Sequence, residues 1–296
     1  MRFDDQSVLI SGATSGLGRA YTLALAERGA RLWLLDCTDS HSDAVLSLLR
    51  SVEAAGGSAR YRELDLADAA AIDAALPELA RAGISLLVNN AGRHSHGDFA
   101  HLCSADFMQQ LQVDVYGSFA LTHGLWHGMM ERGYGRVVMT TGVSALYGDM
   151  HQSAFACAKM ALVGLVNGLA AEGAGRNVRV NSLCPLAHTP MTEKHLAMQV
   201  KPLFSKEIIT AVMLFLLSGN APFGRHLLAG GGSVSELCLA EHSYRYFDSA
   251  CRTPEAVAAH WGEIASAWPI QTHSSGEEQI LAFAKRTARE LGVKLD

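Results

Sequence analysis

Residues 6–18, QSVLISGATSGLG, set an apolar run directly against three closely spaced glycines, and few folds accommodate that junction. Residues 6–10 read as a short strand, and an amphipathic segment continues as a helix to Gly29. Between them Gly12, Gly16 and Gly18, with Ser15 and Leu17 interleaved, permit a tight turn. Such a turn lets backbone N–H groups approach a pyrophosphate at the helix N-terminus. A bare glycine pattern is unspecific. Here it follows a strand, opens a helix, and is succeeded by a second strand at 31–35 that ends on Asp36. A carboxylate there accepts both hydroxyls of an adenosine ribose and repels a 2′-phosphate. The next residue is Cys37, not Arg, so the pattern predicts NAD in preference to NADP.

Strand and helix patterns go on alternating along the chain. Helices are expected at 42–55, 68–82, 105–131 and 150–173, with short helices in 191–218. Strands are expected at 59–64, 85–89, 135–141 and 178–183, and a final one near 225–229. Helices of this length between strands mean a parallel sheet covered on both faces, and right-handed crossovers favour a doubly wound order. The expected fold class is α/β, a Rossmann-type doubly wound parallel sheet with a helical C-terminal extension. Residues 1–232 are expected to form the dinucleotide-binding domain and 233–296 an extension packed on it.

Composition narrows the function. Of 296 residues 49% are hydrophobic, enough for one large buried sheet, and the net charge of −5 offers no basic face to nucleic acid or anionic lipid. Six cysteines, with no C-x-x-C pair, are expected as free thiols in a reducing cytosol. Residues 1–10 lack a signal-peptide layout, the longest apolar run is 212–217, and the C-terminal V-K-L-D is no peroxisomal address of the S-K-L type. A cytoplasmic protein without a membrane span is expected.

Three motifs make the chain resemble the short-chain dehydrogenases/reductases: T/S-G-x-x-x-G-x-G, then Asp65-Leu66-Ala67-Asp68, then Asn89-Asn90-Ala91-Gly92. Gly135-Arg136-Val137-Val138, Asn181-Ser182-Leu183-Cys184-Pro185 and Thr189-Pro190-Met191 extend the likeness. Gly117-Ser118-Phe119 and a T-P-E-A-V…W run (Thr253 to Val257, Trp261) make it most similar to the (3R)-hydroxyacyl-CoA dehydrogenase part of type-2 multifunctional enzymes. The resemblance implies that Asp65 and Leu66 hold the adenine. It also implies that Asn89, Ala91 and Gly92 line the path of the ribose and nicotinamide, and that Thr189 reaches the carboxamide.

In that family an Asn, Ser, Tyr and Lys tetrad transfers the proton. Lys159 matches the lysine, but the tyrosine position holds Phe155, the serine position Gly142 and the asparagine position Asp114. A positioned acid or base contributes about 10²–10⁴-fold in rate and an oxyanion donor about 10²–10³-fold. Losing both removes roughly 5–9 kcal/mol of transition-state stabilisation if the effects add. Ser144, two residues from Gly142, is a substitute for the serine, and Tyr147 is expected to line the pocket. Lys159 keeps its ribose-binding role without a tyrosine. Gly142 is expected to leave room for a serine side chain.

Thirteen histidines supply other neutral-pH acids and bases. His94 follows the N-N-A-G turn, His151 is expected one helical turn before Phe155, and His188 precedes Thr189; all three are expected near the substrate. His123 and His127 are four apart, without an evident third ligand, and no metal site is expected. Three functions fit: an atypical NAD-dependent oxidoreductase acting on a hydroxy or keto group of a small molecule, perhaps an acyl thioester; a silent subunit; or a non-redox enzyme catalysing dehydration or cyclisation. In the first, His151 or Lys159 replaces the tyrosine. In the second, the chain pairs with an active relative. A homodimer or a heteromer with such a relative is expected through 105–131 and 150–173.

Overall fold

The computed structural model describes residues 1–193 and 197–294. Residues 194–196 of the expected short-helix region and 295–296 of the C-terminal tetrapeptide lie outside the described residues. Contacts divide the chain into two compact units, Met1–Glu236 and the residues from Leu237 on.

In the first unit β1 (Ser7–Ser11), α1 (Gly16–Ala26), β2 (Arg31–Asp36), α2 (Asp43–Ala54), β3 (Ser58–Glu63), α3 (Ala69–Arg81) and β4 (Leu86–Asn89) form the first half. Then come α4 (Ser104–Leu111), α5 (Gly117–Arg132), β5 (Gly135–Thr140), α6 (Ser144–Tyr147), α7 (Ser153–Gly173), β6 (Val178–Leu186), α8 (Glu207–Leu217), β7 (His226–Gly230) and β8 (Ser233–Leu237). The sheet order is β3-β2-β1-β4-β5-β6-β7-β8, and every pairing from β3 to β7 is parallel. β1, β4 and β5 are buried on both faces, which is why they read as unbroken apolar runs. Successive residues serve opposite layers. Val8, Ile10, Leu34 and Val88 pack with Ile209 and Met213 of α8, whereas Leu9, Leu35, Leu87 and Met139 pack with Leu121 of α5 and Leu162 of α7.

Two expectations are corrected here. The helix expected at 105–131 is three pieces, α4, a π-helical turn Gln112–Tyr116, and α5. The wider turn puts Asp114 fully inside the protein, and Ser118 Oγ donates to the Asp114 carbonyl at 2.7 Å. The strand at 225–229 is not the last. Gly231 and Gly232, with φ of 55° and 74°, make a two-residue turn into β8. β8 escaped notice because its residues are exposed and mostly polar.

Among the described residues one helix, Ser153–Arg176, is long and apolar enough to cross a bilayer by length and composition. Ala154, Ala158, Leu162, Val163, Val166 and Ala170 of this helix are buried, and Leu162 and Val166 pack in the layer that includes Val137, Val178 and Val180.

The second unit contains α9 (Pro254–Ala259), α10 (Trp261–Ile264) and α11 (Gly276–Leu291). Ser275 caps α11 by accepting from Glu278 N. Phe283 of α11 packs on Tyr244 with ring centroids 4.0 Å apart, and Glu241 and Gln271 pair as an antiparallel bridge.

His226, at the start of β7, joins three elements. Its Nδ1 lies 2.8 Å from Ser182 Oγ on β6 and its Nε2 2.9 Å from Asn167 Oδ1 on α7. Burial lowers its pKa below the ordinary histidine value. The folded state therefore favours the neutral ring. That stability is present above the ordinary pKa of about 6.5 and is lost as pH falls through the lowered one. Thermal unfolding at pH 7.5 and 5.5 should show a smaller acid destabilisation in His226→Gln than in the parent; an equal loss in both would remove His226 as the cause.

Candidate active site

β1 pairs with β2 on one side and β4 on the other, so the crevice beyond the C-terminal ends of β1 and β4 is the topological switch point. Two turns meet there. Ser11 Oγ accepts from the N–H groups of Asn90 and Ala91, both at 3.1 Å, and Asn90 Nδ2 donates to the carbonyls of Ser11 and Gly12. A Cβ on Gly12 would lie 2.8 Å from Ala91 Cα, and one on Gly18 only 1.9 Å from the Gly12 carbonyl oxygen. Glycine at both positions is a packing requirement. Gly12 and Gly16 also have φ of 65° and 54°, where glycine is favoured. Ser15 is the N-cap of α1 and makes no side-chain cap bond, so this helix N-terminus stays open to an anion. A Cβ on Gly16 would stand 3.7 Å from Thr189 Cβ, which brings the segment after β6 to the same crevice. Leu17 packs against the core.

Asp36 ends β2 as expected, and its carboxylate is already engaged. One oxygen accepts from Thr14 N and Thr14 Oγ1, the other from Thr38 N and Thr38 Oγ1. Those four bonds use its lone-pair positions. Ribose hydroxyls bound here would have to replace a threonine hydroxyl. Asp65 Oδ1 accepts from Ala67 N at 2.8 Å, and Leu66 is buried beneath Gly117. The Asn89 side chain points into the core, donating toward Thr122 Oγ1 and Met139 Sδ. Ala91 and Gly92 bring their backbone to the crevice. The glycine cradle and open helix end fit a dinucleotide pyrophosphate.

Lys159 lies on α7 against Gly92. Its Nζ is 2.9 Å from Asp114 Oδ2 and donates to the Thr140 carbonyl at 3.2 Å, and both charged side chains are at most 5% exposed. Arg93 N donates to the other Asp114 oxygen at 2.9 Å. The Phe155 ring centroid is 5.5 Å from Nζ. Beneath the ring is Gly142, where a Cβ would stand 3.1 Å from Phe155 Cε1 and 3.4 Å from Cζ. The room expected for a serine at 142 is thus narrowed by the phenyl ring, which would have to give by a few tenths of an ångström. Cys184 on β6 stays a thiol, burial having pushed its pKa up to about 12.

Ser144 is held elsewhere. Its hydroxyl is within hydrogen-bond reach of Asp149 Oδ2 at 2.5 Å and Gln152 Oε1 at 3.0 Å. Tyr147 is 75% exposed. His151 is not on the helix one turn before Phe155: it precedes the N-cap Gln152, has φ of 63°, and accepts from Gly97 N. The histidine against Phe155 is His94, with ring centroids 5.1 Å apart and Nε2 3.4 Å from Gln152 Oε1. His96 stacks on His94 at 6.4 Å, and His151 meets His96 edge-on at 5.4 Å. Arg93, His96, Asp149 and Gln152 were not singled out from sequence. R-H-S-H directly after N-N-A-G was the signal, since those residues leave the C-terminal end of β4. His188 pairs with Glu193, which also pairs with Lys201. His123 stacks on Phe119 and His127 pairs with Glu131, and among the described residues no group of three metal-ligating side chains converges.

The short chain dehydrogenase family profile matches residues 6–199. Peroxisomal multifunctional enzyme A of Dictyostelium discoideum is 30% identical over 274 residues, covering 90% of this chain and 61% of that protein. In the solved structure of full-length peroxisomal multifunctional enzyme type 2 from Drosophila melanogaster, the alignment covers 98% of this chain and 50% of that one, with 25% identity and a TM-score of 0.79. The chain thus spans less than two thirds of these longer relatives. NAD+-bound xylitol dehydrogenase matches with a TM-score of 0.69 at 26% identity, over 78% of this chain and all of that one.

The contact between positions 142 and 155 is measurable. Gly142→Ala should cost about 1–3 kcal/mol in urea unfolding, because the new methyl overpacks the ring. In a Phe155→Ala background most of that cost should vanish. An equal cost in both backgrounds would show that the ring is not what fills the space.

Proposed function

The chain belongs to the short-chain dehydrogenase family of oxidoreductases, and on that premise we propose an NAD-dependent enzyme of atypical site that acts on a hydroxy or keto group of a small molecule. An acyl thioester is the substrate class favoured, from the likeness to multifunctional enzymes. The observation that carries this reading is Lys159, fixed under Gly92 beside an open glycine turn. The bound nicotinamide supplies hydride transfer. The chain's own groups do the rest. The N–H groups at the start of α1 take the pyrophosphate, Asp36 rejects a 2′-phosphate, and Lys159 holds the ribose. Phe155 excludes water and has no proton to give. Proton transfer falls to Lys159, or to the array of His94, His96 and His151 that starts against the ring.

A second reading has its own support. The Phe155 ring closing on Gly142 removes both polar groups on the substrate side, as a silent subunit would tolerate. In either case the outer face of α7, with Ala161, Gly164 and Gly168 exposed, and exposed Phe119 on α5 suit close packing against a second chain. Homodimer and heteromer with a related dehydrogenase both fit that face. Six free cysteines, five of them exposed, are in keeping with a reducing, cytoplasmic setting.

Calorimetry should give tighter binding of NAD(H) than of NADP(H). Failure of both to bind at millimolar concentration would end the cofactor reading, and the opposite preference would end the Asp36 argument. Light scattering at micromolar concentration should give a dimer. Turnover of small hydroxyacyl substrates by the wild type at ordinary enzyme rates, on the order of 1–10³ s⁻¹, would refute the view that Phe155 and Gly142 disable the usual chemistry.

A further inference from the structure

The lysine of this site does not present a lone positive charge. Lys159 Nζ and Asp114 Oδ2 form an ion pair at 2.9 Å, Lys159 Nζ donates its hydrogen bond to the Thr140 carbonyl, and the Arg93 N–H fixes the second carboxylate oxygen. Asp114 is held inside by the π turn and has no exposure. A Cβ on Gly92 would lie 3.0 Å from Nζ and 3.2 Å from Oδ2, so the pair sits tight against backbone. The ammonium 5.5 Å from the ring centroid at position 155 thus has an opposite charge within 2.9 Å of it.

We propose that Asp114 is a positioning residue that cancels the field of Lys159 at position 155, so that residues 114 and 155 are coupled and a hydroxyl restored at 155 alone stays protonated at neutral pH. A lone ammonium within about 4–6 Å favours ionisation of a neighbouring phenol by about 10- to 1000-fold. Pairing it with a carboxylate at contact distance replaces that charge with a dipole, whose effect falls off faster with distance. Among the described residues, the other titratable groups recorded around the ring and ammonium are His94 after β4 and Cys184 on β6, the latter held as a thiol by burial. With a phenyl ring at 155 the carboxylate also gives Lys159 a partner it would otherwise lack, and an unpaired buried ammonium is strongly destabilising. The inference rests on Phe155 occupying the tyrosine position of the family. It does not depend on which nucleotide binds.

The test is a titration of tyrosinate absorbance, taken as the difference between each tyrosine-bearing variant and its Phe155 parent. In Phe155→Tyr the new phenol should ionise at or above the ordinary value of about 10. In Phe155→Tyr with Asp114→Asn its ionisation constant should rise by about 10- to 1000-fold. Phe155→Tyr with Asp114→Glu should return it toward the single variant. A single variant that ionises below about 9, or an unchanged constant in the asparagine double variant, overturns the proposal. Where Asp114→Asn does not fold, the single variant decides: above about 9 supports the cancellation and below it refutes it. No nucleotide or substrate enters the measurement, so NAD binding can hold while this fails, and the reverse.

Discussion

Everything at this site depends on how closely two backbone turns approach. The turn after β1 and the turn after β4 touch at Gly12 and Ala91, and α1 starts directly over the Gly12 carbonyl. A single methyl at Gly18 would need space that the Gly12 oxygen occupies. That contact fixes where α1 points its N–H groups, and Ser11 and Asn90 then tie the Asn89–Gly92 segment to it. Gly92 in turn lies against Lys159 and Asp114. The glycine turn and the Lys159–Asp114 corner are therefore one packed backbone unit, and glycines at 12, 18 and 92 are its working parts.

A buried lysine that loses its usual neighbours needs other partners, because an uncompensated charge in the interior is costly. Here a carboxylate replaces the neutral amide expected in the family, a carbonyl takes another hydrogen, and an aromatic face stands nearby. The phenyl ring at 155 and the glycine at 142 also lie close together, with a Cβ at 142 only 3.1 Å from Phe155 Cε1. These changes form a consistent apolar-plus-ion-pair arrangement, which fits a site retained for binding, or for chemistry that draws its proton from the histidine side.

Legibility followed backbone regularity. The strand-turn-helix at 6–26 and the parallel order could be read because buried strands are continuous apolar runs and the glycines have one steric purpose. The π turn at Gln112–Tyr116 could not, since the residues around Asp114 carry a helical pattern and the extra residue appears only when Asp114 must face Lys159. β8 was missed because an exposed edge strand has no buried face to impose alternation. Position by position, Lys159, Phe155 and Gly142 were visible as motif and departure. That His94 and not His151 meets the ring depends on the left-handed backbone at His151, which a sequence pattern does not encode.

The central place of β1 in the sheet has a consequence for synthesis. Its partner β2 follows at Arg31–Asp36, but its other partner, β4, begins only at Leu86. At about 5–20 residues per second, one edge of the nascent core stays unpaired for several seconds while α2 and α3 emerge. During that interval the fully buried strand β1 presents open hydrogen-bonding groups to its surroundings. The ribosome-bound chain is then most dependent on chaperones, and a pause in translation before Leu86 would prolong that exposure.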